Sequence, residues 1–249
     1  MKKLIQINNL HVSVIGKEIL KWVSLDFEIW KNYLLAWKNG SWKSTLCSFL
    51  MWHPKYEYDS GEVMLEWQDL LSLSPEERSE KWLFLSFQNV PEIKGIRLSE
   101  YLRTIYNIHL KTISPETKEL SPFLFKRFIR KILQELKIDE SFLERELNVW
   151  FSGWEKRKIE ILQMKLVWPK YIILDEIDSG LDLDAFKTVS ELLKSISATE
   201  NCLIIITHHF KILDYVDVDK VYVLKDGTVW KEWWKELVEG ISERGFDNV

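Results

Sequence analysis

Apolar and polar residues alternate with a period of two near the start of the chain, over 4–7, 11–15 and 25–29. That pattern predicts short strands with one buried face. A short apolar segment, 33–36, leads into a polar turn and a second apolar segment, 45–51. Strand, loop and helix in that order is the setting in which a phosphate-binding loop works. Residues 83–87 read as another buried strand. Between about 99 and 166 the pattern changes to long amphipathic segments at 99–109, 122–136 and 155–166, which predict a helical subdomain. Strands return at 171–174, 202–207 and 221–224, with a helix over 184–196. Strands alternating with helices predict a mostly parallel sheet with crossover helices. The tail, 233–244, reads as a surface helix.

Composition narrows the class. The 249 residues suffice for one domain with a sizeable core. A hydrophobic share of 46% and a charged share of 29% exclude disordered and collagen-like chains. The net charge of −4, with no basic run, argues against a nucleic-acid partner. No segment approaches the roughly 18 apolar residues that cross a bilayer, so no membrane insertion is expected. Asn8 and Asn9 interrupt the apolar start, which argues against a secretory signal. Cys47 and Cys202 form no CxxC and read as reduced thiols of a cytoplasmic protein.

The segment Trp37, Lys38, Asn39, Gly40, Ser41, Trp42, Lys43, Ser44, Thr45 carries the candidate chemistry. The phosphate-loop pattern is G-x-x-x-x-G-K-[ST]. Lys43 and Ser44 stand where it needs them, but Trp37 and Trp42 occupy both glycine positions. Backbone N–H groups opening a helix cradle phosphate oxygens. Lys43 would meet the β- and γ-phosphates of ATP, and Ser44 would offer its hydroxyl to Mg²⁺. The plain alternative is a turn with a polar helix start. Asp175 and Glu176 end an apolar strand. There Asp175 would hold Mg²⁺ and Glu176 would activate the attacking water. Strand ends capped by solvated charges look the same. Gln88 follows the strand at 83–87 and His208 follows the strand at 202–207. His208 could hydrogen-bond the γ-phosphate, though a lone His at a strand end usually means little. Phe151, Ser152, Gly153, Trp154 and Glu155 open a helix whose N–H groups and dipole favour an anion.

The order Lys43, Gln88, Ser152, Asp175–Glu176, Asp182, His208 resembles the P-loop ABC ATPases. Phe151–Glu155 resembles their signature motif, and Ser179, Gly180, Leu181 and Asp182 resemble their D-loop. Gln88 resembles their Q-loop glutamine, which implies a place in the metal shell. The stretches MWHPKYEYDSGEV, LFLSFQNVPEIKGI, EKRKIEILQM and LDEIDSGLD make the finer resemblance one to the SufC family, over nearly the whole chain. Transport ATPases of this class usually have Pro-Thr where Ile177 and Asp178 stand. Val14 stands where they often stack an aromatic on adenine.

The resemblance implies an α/β ABC ATPase domain with a RecA-like, mostly parallel core and an N-terminal antiparallel β-subdomain. About 1–90 and 167–249 would form the nucleotide-binding core, and about 91–166 the inserted helical subdomain with the signature motif. It also implies a cytoplasmic, Mg²⁺-dependent ATPase that drives iron–sulfur cluster assembly on SufB- and SufD-like scaffold proteins. On ATP, two copies would pair head to tail, so that Ser152, Gly153, Trp154, Glu155 and Asp182 meet a nucleotide held by the partner. The alternatives are an ATP-binding subunit of an ABC transporter and a nucleotide-dead scaffold.

Thirteen Trp against nine Gly in 249 residues is anomalous, since glycine usually makes up about 7%. Eleven of the Trp (22, 30, 37, 42, 52, 67, 82, 150, 154, 233 and 234) stand where SufC-like chains have Gly; Trp168 and Trp230 lack a clear counterpart. A β-carbon where φ must be positive costs on the order of 1–3 kcal/mol. Several such sites would rival a total stability of about 5–15 kcal/mol. The expectation is that the natural protein has Gly at these positions, encoded by UGA and rendered as Trp by a conversion table that reads UGA as Trp.

Overall fold

The computed structural model describes residues 4–37, 43–197, 201–207 and 210–234; Trp37, Lys43, Ser44, Ser197, Phe210, Trp233 and Trp234 are described by backbone alone. In chain order the elements are β1 (Leu4–Val14), β2 (Lys17–Glu28), β3 (Asn32–Trp37), α1 (Lys43–Leu50), β4 (Glu57–Leu65), β5 (Gln68–Asp69), α2 (Pro75–Glu80), β6 (Leu83–Ser86) and β7 (Ile93–Arg97). They continue with α3 (Leu98–Ile113), α4 (Pro122–Glu135), β8 (Glu146–Leu147), α5 (Gly153–Val167), β9 (Tyr171–Asp175), α6 (Leu183–Ser197), β10 (Cys202–Ile206), β11 (Lys220–Lys225) and β12 (Thr228–Trp234). The chain divides into two compact units. The first holds 1–88, 170–179 and 190–249, and the second holds 89–169 and 180–189.

The first unit contains two sheets. One is antiparallel, in the order β2-β1-β4-β5. The other has six strands in the order β12-β11-β3-β10-β9-β6. Four of its five pairings are parallel, and the edge pair β11–β12 is antiparallel. Every residue of β9 and β10 is buried, which explains why these strands read as unbroken apolar runs and not as alternation. One core joins both sheets: Ile5, Ile7, Leu10 and Phe27 from the antiparallel sheet pack with Tyr33, Leu35, Ile173 and Ile204 from the parallel one. Phe27 meets Tyr33 edge-on, with ring centroids 5.1 Å apart.

Arg78 of α2 is 1% exposed inside this unit. Its guanidinium donates to the carbonyls of Leu73, Phe49, Leu50 and Leu70. Phe49 and Leu50 are the last residues of α1, whose carbonyls lack helical partners. A cation there also complements the helix dipole. Burial lowers the Arg78 pKa to about 10.

The second unit is mainly helical, with the two-stranded ribbon β7–β8. Ser121 caps α4 ahead of Pro122, and Ser152 caps α5 in a capping box with Glu155. The apolar stripe of α4 buries Phe125, Ile129 and Leu133, as its helical period dictates. Arg157 and Glu160 form a buried ion pair on α5 at 2.6 Å.

Three departures from the sequence pattern have physical causes. The breaks at Asn8 and Asn9 do not end the first strand. Asn9 takes φ of 49° and the register with β2 shifts there, so the strand continues through a bulge. β4 is acidic and carries Gly61, which hides its strand character; pairing with β1 decides it. The tail helix expected from 233 does not begin there, because Trp233 and Trp234 belong to β12 and pair with Val221 and Lys220. Residues 235–244 of that expected helix lie outside the described residues. No helix among the described residues is long and apolar enough to cross a membrane.

Candidate active site

Parallel strands end on the same edge of a sheet, and ligands bind beyond those ends. In the first unit the register aligns four such ends. Leu35 of β3 pairs with Ile206, and Ile206 pairs with Asp175 at the end of β9. Leu174 pairs with Ser86 at the end of β6. The candidate residues follow directly. Trp37 ends β3, Asp175 ends β9, Gln88 lies two residues beyond β6, and Thr207 follows β10. α1 packs against β9 and opens at Lys43, so the helix start faces the same strand system.

Lys38, Asn39, Gly40, Ser41, Trp42 and His208 lie outside the described residues. For Trp37, Lys43 and Ser44 the backbone alone is described, and Thr45 is buried at 2% exposure.

Glu176 is tightly constrained. It is 6% exposed and has φ of 48°, a left-handed conformation that costs a residue with a β-carbon. Its N–H donates to the Ile206 carbonyl at 2.9 Å, and its carbonyl accepts from the Ser179 N–H at 3.0 Å. These bonds hold the turn after β9 and fix the Glu176 backbone. The Gln88 side-chain amide donates to Glu176 Oε2 at 2.5 Å. Two residues 88 positions apart in sequence are thereby joined at the strand ends. Strain of this kind, held by surrounding bonds, is found at functional sites.

A residue to which the sequence pattern assigns no role sits beside them. Asp178 is 6% exposed and accepts a 2.7 Å hydrogen bond from the hydroxyl of Thr207, which is fully buried. This bond ties the turn after β9 to the end of β10. The sequence offered a signal, since an acid replaces the usual Thr at 178, but not the partner.

In the second unit, Ser152 and Glu155 satisfy one another. Ser152 Oγ accepts from the Glu155 N–H at 3.3 Å, while Glu155 Oε2 accepts from the Ser152 N–H at 2.7 Å. Lys158 Nζ lies 4.7 Å from the Trp154 ring centroid. A β-carbon on Gly153 would meet no atom within 4 Å, so packing does not demand glycine there. Asp182 caps α6: its Oδ1 accepts from the Ala185 N–H at 2.8 Å. Val14 ends β1 half-buried.

A buried acid pair at the end of a parallel strand, beside an amide from the neighbouring strand and a helix opening with Lys-Ser-Thr, defines a P-loop nucleotide hydrolase. A family model described as ABC transporter matches residues 20–179. A probable ATP-dependent transporter of Synechocystis is 41% identical over 98% of this chain and 94% of its own length. The probable ATP-dependent transporter SufC of Escherichia coli is 39% identical over 98% of this chain and 97% of its own. A nucleotide-free ATP-binding cassette from an ABC transporter superposes with a TM-score of 0.75 at 22% identity, covering 96% of this chain and 94% of that one. The chain belongs to the ABC ATPase family, as one of its SufC-like members.

Proposed function

We propose that this ATPase drives iron–sulfur cluster assembly on a scaffold of SufB- and SufD-like proteins. The likeness to SufC over almost the full length of both chains supports that system. The contact between Gln88 and Glu176 at the aligned strand ends carries the chemical reading.

In that reading Lys43 and the amides ahead of it bind the β- and γ-phosphates of ATP. Water attacks the γ-phosphorus, Glu176 takes its proton, and ADP leaves with the former bridging oxygen. His208 orients the γ-phosphate. Ser152, Gly153, Trp154, Glu155 and Asp182 serve a nucleotide on a second copy, so two chains pair head to tail. Ser44, Gln88 and Asp175 offer a hydroxyl, an amide oxygen and a carboxylate, hard oxygen donors that suit Mg²⁺. When bound, Mg²⁺ neutralises phosphate charge.

The test is hydrolysis by Glu176→Gln. Activity should fall by about 10²–10⁴-fold while ATP binding persists. Equal hydrolysis by both forms would remove Glu176 from its role. The names of the relatives favour a second reading, as the ATP-binding subunit of a transporter. Co-purification with SufB- and SufD-like proteins supports the first; recovery on a membrane-spanning partner supports the second.

A further inference from the structure

Backbone dihedrals sort the tryptophans of this chain. Trp42 lies outside the described residues. Of the other twelve, six have positive φ: Trp22 (50°), Trp30 (74°), Trp52 (64°), Trp82 (73°), Trp150 (60°) and Trp168 (43°). The chain has 12 Phe and eight Tyr, and none among the described residues has positive φ. Of the six glycines with described backbone, five do: Gly16, Gly61, Gly95, Gly180 and Gly227; Gly153, which opens α5, does not. Tryptophan here keeps the company of glycine and not of the other aromatic residues. The left-handed region crowds a β-carbon against the following carbonyl, whatever the ring attached to it.

The six sites are also glycine sites by role. Trp168 caps α5 in left-handed geometry, φ 43° and ψ 58°, with its N–H donating to the Met164 carbonyl and Pro169 after it. That is the glycine position of a helix C-terminus. Trp52 and Trp82 follow the ends of α1 and α2, and their N–H groups donate to Phe49 and Ser79. Trp30 is the third residue of a turn closed by the Lys31 N–H on the Glu28 carbonyl. Trp150 is third in a turn closed by Phe151 on Asn148. Trp22 lies where β2 slips register against β1, between the pairs Leu10–Val23 and Val12–Leu20.

Burial does not compensate the strain. Five of the six side chains are exposed, from 48% at Trp52 to 88% at Trp150. The Arg78 guanidinium lies 4.7 Å from the Trp52 ring centroid, but Arg78 is already held by four carbonyls.

We infer that positions 22, 30, 52, 82, 150 and 168 are glycine in the protein as its own cells make it, with UGA read there as glycine. The inference rests on backbone geometry and stands apart from the enzymatic reading. It adds Trp168 to the positions singled out by sequence alone. By the same codon Trp37 and Trp42 become glycine as well, which makes the phosphate loop conform to its pattern.

Two measurements test it. Peptide mass spectrometry of the protein purified from the organism that encodes it should show glycine masses at all six positions; indole masses there overturn the inference. Separately, the recombinant chain as written is compared with one carrying Trp→Gly at the six sites. The substituted chain should melt higher, by roughly 2–4 °C for each site relieved, or fold where the written chain does not. Trp67→Gly and Trp230→Gly, at positions without positive φ, should bring no such gain. A melting temperature unchanged or lowered by the six substitutions overturns the inference, whatever the ATPase assay reads.

Discussion

The Gln88 side-chain amide and the Glu176 carboxylate are joined by a 2.5 Å hydrogen bond. Gln88 is the exposed partner and Glu176 the buried one. The turn bonds to Ile206 and Ser179 fix the Glu176 backbone, so Gln88 orients a carboxylate that has little other freedom. Gln88→Ala is therefore expected to lower kcat about tenfold, a cost of about 1.4 kcal/mol in the transition state, with a smaller loss of Mg²⁺·ATP affinity. Steady-state hydrolysis and nucleotide titration check this. A loss of affinity with kcat unchanged would contradict it.

Asp178 and Thr207 couple two segments of the strand-end turns through a buried bond to a charged acceptor. Asp178→Ala and Thr207→Val should each destabilise the fold by about 1.5–3 kcal/mol in denaturant unfolding. The double variant should cost less than the sum by about 1 kcal/mol. Additive losses would mean that the two residues act separately.

Arg78 satisfies carbonyls from the end of α1 and from the segment leading into α2. Arg78→Met preserves much of the buried volume and removes the guanidinium hydrogen bonds to those carbonyls, of which Phe49 and Leu70 keep a backbone donor. The expected loss is about 3 kcal/mol or more, read from the midpoint of chemical unfolding. Arg78→Lys should recover only part, because three donors on one atom cannot reach four separated acceptors.

Burial raises the pKa of Tyr33, Tyr171 and Tyr222 and of both thiols, Cys47 and Cys202, by disfavouring their charged forms. The folded chain thus keeps protons that the unfolded chain releases. Their contribution to stability is complete below the unfolded values, about 8.5 for Cys and 10 for Tyr, and declines as pH rises beyond them. Unfolding midpoints should fall steadily above about pH 8.5. At pH 8 a thiol reagent should label neither cysteine until the chain unfolds, since both are buried protonated thiols.

Much of the architecture was legible because its signals are local. Buried strands β9 and β10 announce themselves as apolar runs, and Ser121–Pro122 and Ser152 with Glu155 mark helix starts. β4 and the end of β12 were not legible. Their strand character comes from pairing with β1 and β11, and neither alternation nor propensity reveals a partner.

The sequence by itself determined the chemistry on offer: a Lys-Ser-Thr helix start, an acid pair ending an apolar strand, and the order of the remaining motifs. Those depend on residue type and near-neighbour spacing. Only the tertiary structure decided which of these groups meet. Gln88 reaches Glu176, Thr207 reaches Asp178, and Arg78 reaches the end of α1. Each of these contacts joins segments well apart along the chain, and such contacts exist only once sheet order and register have been set by burial of the whole core. The same is true of the dihedrals at the tryptophan turns, which the fold imposes on whatever residue stands there.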